Sequence, residues 1–158
     1  MTDSDIVIRK YCGGDSGTVA ELFFGTVHAV NAADYTREQL FAWAASAEDL
    51  TARREDLAAQ NTLIAQIGSK VVGFASMDGS GCLDLLFVHK DFQRKGIATA
   101  LCDEIEKGFP RVKTYASITA KPFFEKRGYK VIKAQEVERR GVKLKNFEMI
   151  KIRTEKDS

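Results

Sequence analysis

Residues 87–101 read Phe-Val-His-Lys-Asp-Phe-Gln-Arg-Lys-Gly-Ile-Ala-Thr-Ala-Leu. A hydrophobic strand tail, Phe87 and Val88, gives way to a charged loop, which passes through Gly96 and Ala98 into residues at helical spacing. A helix start leaves N–H groups without intrahelical partners at the positive end of its dipole, so this junction suits an anion. Small residues let a diphosphate approach the backbone. Gln93, Gly96, Ile97 and Ala98 supply that geometry, Arg94 and Lys95 add charge, and Thr99 adds a hydroxyl. The plain alternative is an ordinary loop and cap whose cations sit in water. The pattern fits neither GxxxxGK[ST] nor GxGxxG, and it follows an antiparallel run, so a nucleoside triphosphate or dinucleotide is disfavoured.

Three strands are predicted ahead of this junction, TLIAQIG from Thr62, VVGFASMD from Val71 and CLDLLFV from Cys82, separated by turns at Ser69 and Asp78–Gly81. Before them lie a first strand, IVIRKY, and an amphipathic helix from Gly17 to about Val30, capped by Asp15 or Ser16. Thr36 stands three residues before Gln39, a capping-box spacing that opens a second helix, and EDLTARREDLAAQ reads as a third. After the junction come a helix from Gly96 to Lys107, a strand VKTYASI, a short helix KPFFEKRG and two long strands joined near Arg139–Gly141. This order describes an α/β mixture with a largely antiparallel sheet and at least one parallel crossover.

The 158 residues fit a single domain spanning 1–158, large enough to bury a core without disulfides or a metal. Lys and Arg number 24 against 22 Asp and Glu, too even a balance for nucleic acid as a main partner. Cys12, Cys82 and Cys102 form no metal-binding spacing and read as small apolar side chains, with Cys82 a weaker candidate nucleophile. The beginning, MTDSDIVIRKY, argues against a secretory signal, and no apolar run reaches membrane-spanning length. The expected location is the cytoplasm, with no membrane partner.

The stretch LDLLFVHKDFQRKGIATAL resembles the acyl-CoA-binding motif of the GNAT superfamily of N-acetyltransferases, Gln/Arg-x-x-Gly-x-Gly/Ala, with Gln93, Gly96 and Ala98 in the signature positions. SITAKPFFEKRGY resembles the family's second motif. The resemblance implies an α/β (α+β) GNAT fold: a central, mostly antiparallel, splayed mixed sheet of about seven strands flanked by about four helices. The pantetheine arm of acetyl-CoA, as co-substrate, would lie between the strand ending at Val88 and the strand near Tyr115–Ser117. Backbone groups of Leu86, Phe87 and Val88 would meet that arm like an added strand, and amides from Arg94 to Thr99 would hold the diphosphate. Lys126 would approach the nucleotide end, and no metal is needed.

The chemistry implied is direct attack of a primary amine, on a small molecule or a peptide, at the thioester in a ternary complex. Asp84 stands at a position that relatives use for amine deprotonation, and strand spacing puts it on the face of Leu86 and Val88. Burial among CLDLLF would raise its pKa and make it a better base. A plain structural Asp answering a nearby cation is the competing account. Ser117 stands where relatives have a pantetheine-contacting Asn. Phe124 replaces a Tyr that protonates the thiolate, so Tyr129, Tyr115, a water or another group would substitute, or no acid is needed. The first helices would wall the acceptor pocket with His28, Asn31, Tyr35 and Trp43 beside Asp84. The rival reading, which Phe124 favours, is a non-catalytic acyl-CoA-binding regulatory module. Oligomeric state stays open, a homodimer included.

Overall fold

The computed structural model describes residues 5–153, so residues 1–4 and 154–158 of the expected domain lie outside it. The chain runs β1 (Ile6–Lys10), α1 (Ser16–Ala29), α2 (Arg37–Trp43), α3 (Glu48–Thr51), α4 (Arg54–Ala59), β2 (Asn61–Ile67), β3 (Lys70–Met77) and β4 (Cys82–Val88). It continues through α5 (Ile97–Ile105), β5 (Arg111–Ser117), α6 (Lys121–Lys126), β6 (Lys130–Arg139) and β7 (Val142–Ile152). The strands form one sheet in the order β1-β2-β3-β4-β5-β7-β6. Every neighbouring pair is antiparallel except β4 and β5, which the α5 crossover makes parallel. This is the seven-stranded, mostly antiparallel mixed sheet expected from the sequence.

The two faces of the sheet bury separate cores. Ile97, Leu101 and Ile105 of α5 pack on Leu63, Ala65 and Met77 on one face. Val19, Phe23 and Val27 of α1, with Leu50 and Leu57 of α3 and α4, pack on Ile64 and Phe74 on the other. The alternation of β2 and β3 feeds both layers. Gly73 lets α5 sit close. A Cβ there would lie 3.0 Å from Ile97 Cγ2 and 3.1 Å from the Phe87 carbonyl oxygen.

Local signals in the sequence resolve unevenly. The capping box forms: Thr36 Oγ1 accepts the Gln39 N–H at 3.1 Å, and Gln39 Oε1 accepts the Thr36 N–H at 2.9 Å. Asp15 precedes α1 but does not cap it with its side chain, because the carboxylate accepts the Arg9 guanidinium (2.8 and 2.9 Å) and the Cys12 N–H (2.9 Å) instead. The third predicted helix breaks into α3 and α4 at Ala52–Arg53.

Below α5, Glu106 is fully buried and collects cations from the end of α6 and from β7 and the residues just beyond it. Arg127 reaches its two oxygens at 2.9 and 3.0 Å, Lys151 lies at 3.8 Å and the Tyr129 hydroxyl donates at 2.6 Å. Arg153 Nε lies at 3.7 Å. This hub ties α5, α6 and β7 together on the side of the sheet away from α1.

Candidate active site

β4 and β5 pair only at Cys82 with Lys113 and Leu83 with Thr114, and beyond those pairs they diverge. The Thr114 hydroxyl donates to the Leu83 carbonyl at 3.0 Å and fixes the point of divergence. The opening is a cavity of about 1070 Å³ that runs from the α5 start, between the two strands, to the α1–α3 helices and the β6–β7 hairpin. Ligand pockets reach about 1,000 Å³ at the upper end, so this one is large enough for an extended ligand.

At the α5 end, Gly96 adopts φ +82°, in the left-handed region that glycine enters without strain. The first helical bond runs from the Ala100 N–H to the Gly96 carbonyl (3.0 Å), leaving the amides of Ile97, Ala98 and Thr99 without a helical acceptor. Arg94, also at positive φ, and Gln93, Gly96, Ile97, Ala98 and Thr99 all border the cavity. Lys95 and Lys126 are exposed and lie outside its walls. Gln93 has a structural task as well, since its Nε2 donates to the Val88 carbonyl at 2.8 Å.

The strand edge facing the opening differs from expectation. The His89 N–H donates to the Val72 carbonyl at 2.8 Å, and in an antiparallel ladder alternate residues bond the same neighbour. Phe87 therefore spends its backbone on β3, while Leu86 and Val88 turn theirs to the opening. The Val88 carbonyl is already taken by Thr26 Oγ1 (2.9 Å) and Gln93 Nε2. What remains for a ligand is the Leu86 N–H and carbonyl and the Val88 N–H. The Phe87 side chain still borders the cavity, edge-on to Phe23 at 5.1 Å.

Asp84 borders the cavity but not as predicted. Ser76 faces Leu85 and Met77 faces Leu83, so Asp84 is the extra residue of a β-bulge. The bulge breaks the period of two and takes Asp84 off the phase of Leu86 and Val88. Its side chain is 31 % exposed, so it is not buried among leucines, and Oδ2 accepts Arg53 Nη2 at 2.7 Å. The expected burial of this carboxylate is absent.

Of the other predicted residues, Asn31, Tyr35, Trp43, Ser117 and Phe124 line the cavity. Asn31 Nδ2 approaches Ser117 Oγ at 3.5 Å, and Ser117 Oγ also accepts the Ala120 N–H at 3.0 Å. The Tyr35 hydroxyl donates to the Lys145 carbonyl (2.6 Å) and accepts the Ile118 N–H (2.9 Å), and burial pushes its phenol up, so it braces the wall. Trp43 packs between Tyr35 and Phe87.

Two candidates fall away. His28 lies in tilted ring contacts between Phe24 and Phe41, with Nε2 2.7 Å from the Ala44 carbonyl oxygen, and is not among the residues that border the cavity. Tyr129 is only 2 % exposed, lies outside the cavity walls and gives its proton to the Glu106 bond. Burial, then that bond, push its phenol far above the usual range, so it supplies no proton to the opening. Cys82 is a poor nucleophile too, because burial and then Asp78 and Asp84 push its thiol up.

Several wall residues carried no clear sequence signal: Thr26, Arg53, Gln135, Arg139 and Asn146. Thr26 sits within the apolar stripe of a helix, and Arg53 within a mixed-charge one. Asn146 Oδ1 is buried and takes no hydrogen bond.

The profile of the GNAT acetyltransferase domain matches residues 31–151, which hold most of the opening's walls, the α5 junction and nearly all of the hairpin. The chain belongs to the GNAT acetyltransferase family. A relative, the uncharacterized N-acetyltransferase YafP of Escherichia coli, is 36 % identical over 146 residues, covering 92 % of this chain and 95 % of that protein. The crystal structure of a GCN5-related N-acetyltransferase from Rhodopseudomonas palustris superposes with a TM-score of 0.88 at 36 % identity, over 96 % of this chain and 98 % of the other. At 23 % identity and a TM-score of 0.70, PaiA N-acetyltransferase of Thermoplasma acidophilum, solved with coenzyme A, shares the GNAT fold over 94 % of this chain and 99 % of its own. Among the described residues no helix is long and apolar enough to cross a membrane.

Proposed function

We propose that this GNAT protein transfers an acetyl group from acetyl-CoA to a primary amine by direct attack in a ternary complex. The observation that carries the reading is the opening itself. One edge offers unpaired strand amides at Leu86 and Val88, and its end offers helix-start amides at Ile97–Thr99. The first suit the amides of a pantetheine arm and the second a diphosphate. The coenzyme A in the Thermoplasma relative supports the same assignment.

In the transfer, the amine nitrogen attacks the thioester carbonyl carbon, a C–N bond forms and the C–S bond breaks. The amine loses one proton and the sulfur leaves as thiolate and gains one, giving the N-acetyl product and free coenzyme A. An N–H at the strand edge, from Leu86 or Val88, stabilises the oxyanion. Asp84, on the wall and held by Arg53, takes the amine proton directly or through water. Phe124 brings no proton and Tyr129 is turned away, so the thiolate is protonated by Tyr115, which borders the opening, by solvent or by the proton the amine releases. A thiol is acidic enough to leave without a dedicated acid. The expected setting is the cytoplasm, with a small molecule or a peptide as acceptor.

The apolar Phe124 also favours a second reading, a module that binds acyl-CoA without turnover. The purified chain incubated with acetyl-CoA and a panel of primary amines separates the two by release of free thiol. Saturable coenzyme A binding with no thiol release from any amine selects the second reading. On the enzymatic reading, Asp84→Asn lowers kcat and leaves coenzyme A affinity nearly intact.

A further inference from the structure

The acceptor end of the cavity has an uneven charge inventory. Its two carboxylates are both engaged. Asp84 accepts Arg53 at 2.7 Å, and Asp49 accepts Arg140 at 2.9 Å and the Ala45 N–H at 2.7 Å. Arg139, at the end of β6, also borders the cavity, and its Nη1 donates to the Glu138 carbonyl at 3.3 Å. Among the described residues it has no carboxylate partner. A polycationic acceptor needs open carboxylates, and here they are closed by arginines; an anionic group meets a free guanidinium.

The same wall holds a second clue. Asn146 Oδ1 is buried without a hydrogen bond, and an orphaned buried acceptor is costly unless something arrives to satisfy it. Asn146 pairs with Gln135 across the hairpin, and Gln135, Val137 and Arg139 alternate along one face of β6 toward the cavity. Arg139 lies four residues beyond Gln135, about 13 Å by strand rise. A donor at Asn146 and an anion at Arg139 are therefore several bonds apart, farther than the two ends of an α-amino acid.

We propose that the acceptor is an elongated amine carrying an anionic group at a distance, as a short acidic peptide does, and that Arg139 holds the anion while Asn146 accepts an N–H. This rests on the acetyl-transfer reading. The test measures thiol release with three peptides of equal length, Ala-Glu amide, Ala-Gln amide and Ala-Lys amide, with butylamine as a featureless control. Ala-Glu amide is expected to exceed Ala-Gln amide in kcat/KM by about tenfold, with Ala-Lys amide last. Arg139→Gln erases that gap through the peptide KM and leaves the KM for acetyl-CoA unchanged; Arg139→Lys restores part of it. A ranking led by Ala-Lys amide or butylamine, or one that Arg139→Gln leaves intact, overturns the proposal while transfer itself stands. Coenzyme A binding with no thiol release from any amine overturns the transfer reading and this one with it.

Discussion

Replacing Glu106 by Gln keeps its volume and shape and deletes one charge. The carboxylate is fully buried, and Arg127, Lys151 and Arg153 converge on it with side chains 13 %, 13 % and 6 % exposed. In the variant the buried negative charge on which these cations converge is gone, Arg127 keeps Asp103 at 2.8 Å, and one amide NH2 is turned toward a guanidinium. Removing one partner of a buried ion pair costs about 3–5 kcal/mol, because the desolvated charge left behind is uncompensated. For a chain of this size each kcal/mol moves Tm by about 2–4 °C, so Glu106→Gln is expected to melt roughly 6–20 °C lower. Tyr129→Phe removes one hydrogen bond to the same carboxylate and costs about 1–3 kcal/mol. The double variant falls short of the sum, since both changes act on one network. Circular dichroism melts of the four proteins, with thiol-release kinetics on each, provide the measurements. A Tm loss for Glu106→Gln below about 2 °C refutes the account of the hub. A tenfold drop in kcat for Tyr129→Phe, with Tm nearly unchanged, refutes the placement of Tyr129 outside the chemistry.

Two further outcomes follow from the fold. Gly73→Ala drives a methyl group against Ile97, Leu101 and the Phe87 carbonyl, costing about 1–3 kcal/mol and lifting the first turn of α5; calorimetry should show weaker coenzyme A binding than in the parent. The hydrogen bond from Arg9 holds the Asp15 carboxyl down at about 2, so its contribution to stability is complete above the ordinary carboxylate value of 3.8 and is lost as pH falls toward 2. Asp15→Asn should melt below the parent at pH 7, and the gap should close in acid.

Most of the architecture was readable from periodicity and punctuation. The period of two in β2 and β3, the Thr36–Gln39 box and the small residues at Gly96 and Ala98 each fix a local geometry that tertiary contacts reinforce. The run of helix-start amides after Gly96 was legible because it is built from consecutive residues. The far wall of the opening was not, since Arg53, Gln135, Arg139 and Asn146 come together only through the sheet order and the hairpin register. Asp84 shows the sharpest limit. Counting alternate residues assumes an uninterrupted strand, and one bulged residue opposite Ser76–Met77 reverses the answer. His28 and Tyr129 misled for another reason: their polar atoms are satisfied by the Ala44 carbonyl and by Glu106, partners distant in the sequence.

The brief pairing of β4 with β5 divides the sheet into a four-stranded wing and a three-stranded wing joined at two residue pairs and one threonine hydroxyl. Such a joint resists shear along the strands better than rotation about them. A molecule lodged in the gap, were it bonded to β4 on one side and packed on β5 on the other, would act as a keystone. Occupancy of the cleft would thus stiffen the whole domain as well as deliver a reactant.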